Sequence, residues 1–307
     1  MNTLTNWRKN DLKQFKKYPI HQCAFYKCKS KKKLASLLKT DLKNLNRLSK
    51  SIEQEYYTFN KKRQITAPKK ELKAIQKRVL NLLNKIEKPD WVISSTKEKS
   101  YLDNAHYHIG AQYVCTTDIR SFYNNCSRDR VYQFFAKKLM TSPDVAKLLS
   151  DITTLKYIPT GSPSSQILAY FAYEEMFINM FNISQKFNCK MTLYVDDLTF
   201  SKDSSFNYQN LINHIDIEAR KFNHSLKYKK TNYKSVKKGA KITGVILKNY
   251  ELKIPNSLRI SILKDFENIK NNQELKHQVM SLKGKINAAR LIEPNHFNGT
   301  NSYVKSL

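Results

Sequence analysis

Two adjacent aspartates, Asp196 and Asp197, stand between two short β-forming runs, 190–194 and 198–201. Strand, tight turn and strand make a β-hairpin with acids at its tip. An isolated Asp-Asp pair is most often a solvated turn. Here both flanks are apolar, so the turn projects from a core sheet. A third acid, Asp118, closes another run of β-formers, 112–119. Carboxylates carried on core strands are costly without a counter-charge. A pair of divalent cations would supply it. Two hard cations about 3.5–4 Å apart, held by Asp oxygens, are the clamp for in-line phosphoryl transfer. Mg²⁺ suits such a site because it keeps water and phosphate oxygens as its other ligands.

Charge narrows the partner. The 307 residues carry 55 Lys and Arg against 25 Asp and Glu, a net +30. Self-repulsion of that size opposes compaction unless a polyanion is the usual partner, which points to nucleic acid. With 40% hydrophobic residues the chain can bury a sizeable core, which excludes disorder for most of it. The basic segment 1–17 lacks the apolar stretch of a secretory leader, and the longest apolar run, 167–173, is too short for a bilayer. No membrane is therefore expected as a partner. The cysteines are five, Cys23, Cys28, Cys115, Cys126 and Cys189, without zinc-knuckle spacing. Reduced thiols imply a cytoplasmic location.

Leu34, Leu37, Leu38, Leu42, Leu45 and Leu48 recur at helical spacing, and residues 1–60 read as helices with basic faces. Segment 58–68 reads as a strand after a turn. Residues 71–88 read as an amphipathic helix with Leu72, Ile75, Val79, Leu82 or Leu83, and Ile86 on one stripe. Segment 91–103 is irregular, 112–119 a strand and 129–149 helical. A turn from Thr160 to Ser165 opens a helix to about 187, and 207–223 is another. Runs 241–247 and 251–254 read as a hairpin turning at 248–250, with helices after it and a looser end beyond Pro294. Helices mixed with antiparallel hairpins give an α+β fold.

The residues around the acids resemble reverse transcriptases. Tyr194-Val195-Asp196-Asp197 is similar to the Tyr-x-Asp-Asp box of that family, and Asp118-Ile119-Arg120-Ser121-Phe122-Tyr123 to its upstream box. Lys62-Arg63-Gln64-Ile65-Thr66-Ala67-Pro68 resembles the fingers box, and Pro159-Thr160-Gly161-Ser162-Pro163 the Pro-x-Gly-x-Pro turn. Lys230-Thr231 resembles the basic box after the palm helix. These boxes follow the family's order across about 58–256. Asn104-Ala105-His106-Tyr107-His108 matches the Asn-Ala-x-x-His box of bacterial retron reverse transcriptases, and Ile242-Thr243-Gly244 resembles their Val-Thr-Gly box. The implied fold is a right-hand polymerase with fingers, an antiparallel palm sheet and a short helical thumb. Fingers with the N-terminal helices would cover 1–110, palm 111–144, a fingers return and palm helix 145–190, palm again 191–240, and thumb 241–307.

The resemblance also implies roles. Asp118, Asp196 and Asp197 would hold two Mg²⁺, with the Ile119 carbonyl as a further ligand. Lys230 would protonate or neutralise pyrophosphate. Arg63 would reach the triphosphate, where a planar guanidinium gives bidentate contact. A rigid ring under the sugar would reject a 2′-OH; Tyr123 is the candidate and Phe122 its rival. Thr160 and Gly161 would form the nucleotide platform, with Thr160 standing where many relatives carry Gln and Gly161 allowing close backbone approach. Lys227, standing where relatives often carry Asn, and Lys229 would track the template–primer backbone. Lys283, Lys285 and Arg290 would hold an RNA duplex by shape and phosphate position. His108 reads as structural, and Asn104 as either a loop-ordering group or an RNA contact.

The expected activity is RNA-directed DNA synthesis from deoxynucleotides on a cognate non-coding RNA. Priming by a 2′-OH of that RNA would give a branched RNA–DNA product, serving antiphage defence with a separate effector protein. Two alternatives stay open: another bacterial reverse transcriptase of group II intron or stand-alone defence type, and an idle RNA-binding scaffold.

Overall fold

The structure is a computed structural model describing residues 17–61, 64–271 and 276–306. The fold is α+β with antiparallel sheets, as the sequence implies. It divides into two compact units. One comprises Met1–Asp90, Ser95–Lys97 and Ser121–Ile178; the other comprises Trp91–Ser94, Glu98–Arg120 and Asn179–Leu307.

The first unit is mainly helical, with one hairpin. β1 (Tyr56–Asn60) pairs antiparallel with β2 (Gln64–Pro68) in the register Tyr56↔Pro68. The single strand expected over 58–68 is thus two strands, the end of β1 and all of β2, because the chain reverses after Asn60 instead of before Thr58. The leucine repeat forms two helices, Lys31–Leu37 and Leu42–Lys50. Lys39 turns left-handed at φ 58° between them, and the Asp41 carboxylate caps the second by accepting from the Asn44 N–H at 2.7 Å. Leu34, Leu38, Leu45 and Leu48 are buried. The helix Lys70–Leu83 buries the predicted stripe and ends at an Asn84 cap, short of the expected 88. Helical structure over 129–149 is interrupted. The helix Arg128–Gln133 runs into a π-helical turn, Phe134–Lys138, and Met140 at φ 54° breaks the path before Pro143 starts the helix Pro143–Thr153. The helix Ser165–Ala172 is separated by Tyr173 from Glu174–Lys186, which runs on into the second unit.

The second unit holds two sheets. In the first, β3 (Tyr113–Asp118), β4 (Lys190–Tyr194), β5 (Asp197–Lys202) and β6 (Asn232–Ser235) lie in the order β4-β5-β3-β6. Register places Thr116, Asp118, Asp197, Thr199, Ser201 and Thr192 on one face. Cys115, Leu198, Phe200, Met191 and Leu193 lie on the other face, all buried. The second sheet is β7 (Ala240–Ile242), β8 (Val245–Lys248) and β9 (Glu251–Lys253). The run 241–247 is therefore itself a hairpin, folded at Thr243 (φ 43°) and Gly244 (φ 92°). Beyond it lie the helices Asn256–Asn271, Lys276–Ile292 and Asn298–Ser306 around Ile262, Ile269, Leu282, Ile286 and Ala289. The end beyond Pro294 is helical, not loose, because Val304 and Tyr303 dock on that core. No helix among the described residues is long and apolar enough to cross a membrane.

Candidate active site

The hairpin carrying the acids is tighter than the sequence suggests. Tyr194 pairs with Asp197, so the loop is Val195-Asp196 and Asp197 is the first residue of β5. Val195 takes the left-handed conformation, φ 63°, an uncommon place for a β-branched residue. Its N–H donates to Ser94 Oγ at 2.7 Å. The segment containing Ser94 runs beside β4: the Leu193 N–H donates to the Trp91 carbonyl (2.9 Å) and the Ile93 N–H to the Leu193 carbonyl (3.0 Å). The Ile119 N–H donates to the Asp196 carbonyl at 3.0 Å, fixing the tip against the end of β3.

Asp118 faces Asp197 directly across the β3–β5 ladder. Like charges in that position destabilise a sheet, so the pairing is a cost the fold carries for another reason. Oxygens of Asp118, Asp196 and Asp197 all lie within 4.8 Å of one another. Burial, then the neighbouring charges of Asp197 and Asp118, push the Asp196 carboxyl up to about 6. Burial and Asp118 raise Asp197 as well. Asp118 is 8% exposed.

Lys230 answers part of this charge. Its ammonium donates to both Asp118 oxygens, at 3.0 and 2.9 Å, and the bond raises its own pKa. The segment 225–231 brings it there by running along β3. The Arg120 N–H donates to the Ser225 carbonyl (2.8 Å), the Lys227 N–H to the Asp118 carbonyl (2.7 Å), and Thr117 and Thr231 share a hydroxyl bond of 2.8 Å. Asp216, 3% exposed, anchors the same segment by accepting from the Leu226 N–H at 2.6 Å and from Arg220 at 2.7 Å. Nothing local in the sequence marks Ser94 or Asp216 for these anchoring roles.

Three converging carboxylates faced by one ammonium leave net negative charge in a half-buried pocket. That donor set fits divalent cations with oxygen ligands. Asp118, Asp196 and Asp197 are the residues that would hold them.

In the first unit, the turn at Gly161 is stitched to β2. The Gly161 N–H donates to the Thr66 carbonyl (2.8 Å), and the Thr66 N–H donates to Thr160 Oγ1 (3.3 Å). A Cβ on Gly161 would lie 2.7 Å from the Thr66 oxygen and 2.9 Å from both Ala67 Cβ and Ile65 Cγ2. Glycine is needed here for space. Ser162 Oγ donates to Gln76 Oε1 at 2.6 Å, and Gln76 Nε2 donates to Tyr56 Oη (2.7 Å) and the Ile152 carbonyl (2.8 Å). Gln76 is fully buried with its amide satisfied at both ends, and it ties the turn to the hairpin. Phe122 is a core residue against Tyr173 and Phe177, whereas Tyr123 is half-buried. Arg63 lies outside the described residues.

Two expectations for RNA contacts change. Asn104 is fully buried and donates through Nδ2 to Thr243 Oγ1 at 3.2 Å, so it cannot reach RNA. Lys285 spends its ammonium on Asp265 (2.6 Å) and Ser261 (2.8 Å), bracing the helices after β9. Arg290 is half-exposed, with only its Nε engaged, to the Pro294 carbonyl at 3.1 Å. Lys227 and Lys229 are exposed and Lys283 is half-exposed. His108 is structural as expected: it is fully buried, with Nδ1 bonded to Ser201 Oγ and Nε2 to Thr192 Oγ1, each at 2.7 Å.

A family profile described as reverse transcriptase (RNA-dependent DNA polymerase) matches residues 15–247. Curated relatives include the retron Se72 reverse transcriptase of Salmonella heidelberg (strain 579083-10), 29% identical over 179 residues, 55% of this chain and 47% of that protein. The retron Ec86 reverse transcriptase of Escherichia coli is 32% identical over 156 residues, 48% of each chain. The alignments span about half the length of these relatives. Among solved structures, apo telomerase from Candida tropicalis, truncated from its C-terminal domain, aligns at 11% identity and TM-score 0.42, covering 60% of this chain and 45% of that one. Telomerase from Candida albicans, with a fragment of telomeric RNA, aligns at 10% identity and TM-score 0.40, covering 67% and 42%.

Proposed function

The chain belongs to the reverse transcriptase (RNA-dependent DNA polymerase) family, and from that premise we propose that it copies RNA into DNA as a retron-type enzyme. The observation that carries the reading is the convergence of Asp118, Asp196 and Asp197 within 4.8 Å, two on one hairpin and one on the neighbouring strand, with Lys230 on Asp118. The likeness to retron reverse transcriptases supports the narrower assignment.

Divalent cations held by the three carboxylates, Mg²⁺ in our reading, supply the charge stabilisation that in-line phosphoryl transfer requires. The chain's own residues do the rest. The tight Val195-Asp196 loop and the Ile119–Asp196 bond hold the carboxylates in fixed positions before substrate arrives. The Ile119 carbonyl adds an oxygen beside them. Lys230 places a positive charge, and an available proton, where pyrophosphate departs as the primer hydroxyl oxygen bonds to the α-phosphorus. Tyr123 excludes the ribose 2′-OH by the bulk of its ring. Arg63 and the Thr160-Gly161 backbone receive the triphosphate and base. Lys227, Lys229 and Lys283 follow the nucleic-acid backbone.

The cognate partner is a structured non-coding RNA, with its DNA product and deoxynucleotides. Priming from a 2′-OH of that RNA, a cytoplasmic setting and a role in antiphage defence with a separate effector protein complete the reading; these rest on likeness to retrons alone. The test is Asp196→Asn combined with Asp197→Asn, assayed for DNA synthesis and for RNA binding. Synthesis should vanish while binding persists, because the phosphate contacts come from Lys and Arg. Nucleic acid copurified with the native chain, treated separately with RNase and DNase, should contain DNA joined covalently to RNA. RNA alone would reject self-priming.

A further inference from the structure

The helix Tyr101–Tyr107 is fastened at both ends by side-chain hydrogen bonds to distant elements of its own unit. At one end Asn104 Nδ2 donates to Thr243 Oγ1 (3.2 Å), and Thr243 Oγ1 donates to the Tyr101 carbonyl (3.2 Å). The Thr243 hydroxyl is thus spent in both directions. Thr243 also sits at φ 43°, a strained backbone for a β-branched residue, in the turn between β7 and β8. At the other end His108 bonds Thr192 on β4 and Ser201 on β5. Those two strands run directly to Asp196 and Asp197. Between the fastenings lies an apolar seam: Leu102 and Ala105 of the helix with Val114, Ile242, Val245 and Leu247.

Apolar packing alone would hold this seam. Asn104 adds little adhesion, for it is fully buried and its Oδ1 has no hydrogen-bond partner. An unpartnered buried carbonyl costs stability. In some proteins a buried polar group that costs stability is kept because its one directed bond sets geometry.

We propose that Asn104, Thr243 and His108 are positioning residues, joining the sheet β7–β9 through one helix to the hairpin that bears the catalytic acids. The helix is about 10 Å long and is a rigid strut between them. Its function is to set the position of the sheet β7–β9, and of the helix after it that carries Lys283, against Asp196 and Asp197. The inference rests on the polymerase reading above.

The test uses the full chain with Asn104→Leu, Thr243→Val and Thr243→Ser, measured for melting temperature, RNA affinity, deoxynucleotide KM and kcat of primer extension. Asn104→Leu removes the donor together with the unpartnered oxygen. It should melt at or above the wild-type temperature, yet lose about tenfold or more in kcat with KM changed less than about twofold. Thr243→Val should lose kcat similarly, and Thr243→Ser should restore it, since a hydroxyl is all that the bonds require. Asn104→Leu decides the question even if Thr243→Val fails to fold. Wild-type kcat in Asn104→Leu, or loss of activity only in step with melting temperature, overturns the proposal while leaving the polymerase reading intact. Absence of DNA synthesis by the wild-type chain itself would reject that reading instead.

Discussion

Both carboxylate oxygens of Asp118 receive hydrogen bonds from the single ammonium of Lys230, at 3.0 and 2.9 Å. The residue proposed to answer pyrophosphate is therefore also the counter-ion of a proposed cation ligand.

These two roles pull in opposite directions. Lys230→Met should bind Mn²⁺ about tenfold more tightly, because a competing positive charge is gone. It should incorporate nucleotides about 10²-fold more slowly, because the proton donor is gone. Titration of free Mn²⁺ by electron paramagnetic resonance, beside single-nucleotide incorporation, reads both. Unchanged Mn²⁺ affinity would show that the ammonium does not compete.

His108 gives the chain a pH dependence of known sign. Burial, and then the Lys190 charge, hold its pKa down at about 3, against 6.5 for a free imidazole. The unfolded chain therefore binds the proton first. Stability contributed by the neutral ring is fully present above pH 6.5 and is lost as pH falls toward 3. The loss should approach about 1.4 kcal/mol per pH unit inside that window. Denaturant unfolding of His108→Gln should have a shallower slope there than wild type; parallel slopes would contradict the assignment.

Gly161→Ala would push a methyl into the Thr66 carbonyl. Since the neighbour is backbone, the hairpin must shift, at a cost of about 1–3 kcal/mol. Because the same turn is the proposed nucleotide platform, deoxynucleotide KM should rise together with the drop in melting temperature. A drop in stability with KM unmoved would remove the turn from the nucleotide site.

Phe122 and Tyr123 should separate cleanly. Phe122→Ala empties a core position and should cost about 3–5 kcal/mol while leaving sugar selection intact. Tyr123→Ala should leave stability nearly unchanged and raise ribonucleotide incorporation relative to deoxynucleotide by about 10- to 100-fold. Competition between the two nucleotide classes on one primed template distinguishes them. Relaxed selection in Phe122→Ala instead would exchange the roles.

The acids were legible because their signal is local. Apolar, β-forming flanks on both sides of Asp196-Asp197, and the strand run that ends at Asp118, stand in the sequence itself, so the three acids could be read together. What escaped is what depends on distant partners. Nothing near Asn104 reveals a hydroxyl 139 residues away, so its amide read equally well as an RNA ligand. Lys285 read as a free charge because Asp265, 20 residues earlier, becomes its neighbour only when two helices pack. The pairing of β1 with β2 and the reversal at 243–244 escaped for another reason. The sequence between Tyr56 and Ala67 has no glycine or proline to mark a hairpin, and the reversal at 243–244 places Thr at a positive φ that sequence patterns assign to Gly or Asn.

The seam under Tyr101–Tyr107 also sets a schedule for synthesis. Leu102 and Ala105 leave the ribosome before Ile242, Val245 and Leu247, and Asn104 precedes Thr243 by 139 residues. At about 5–20 residues per second, that is a delay of roughly 7–30 s. Throughout it the growing chain presents this apolar helix face unmatched. An apolar face left open between the synthesis of Asn104 and that of Thr243 is a surface of the kind that holdase chaperones bind.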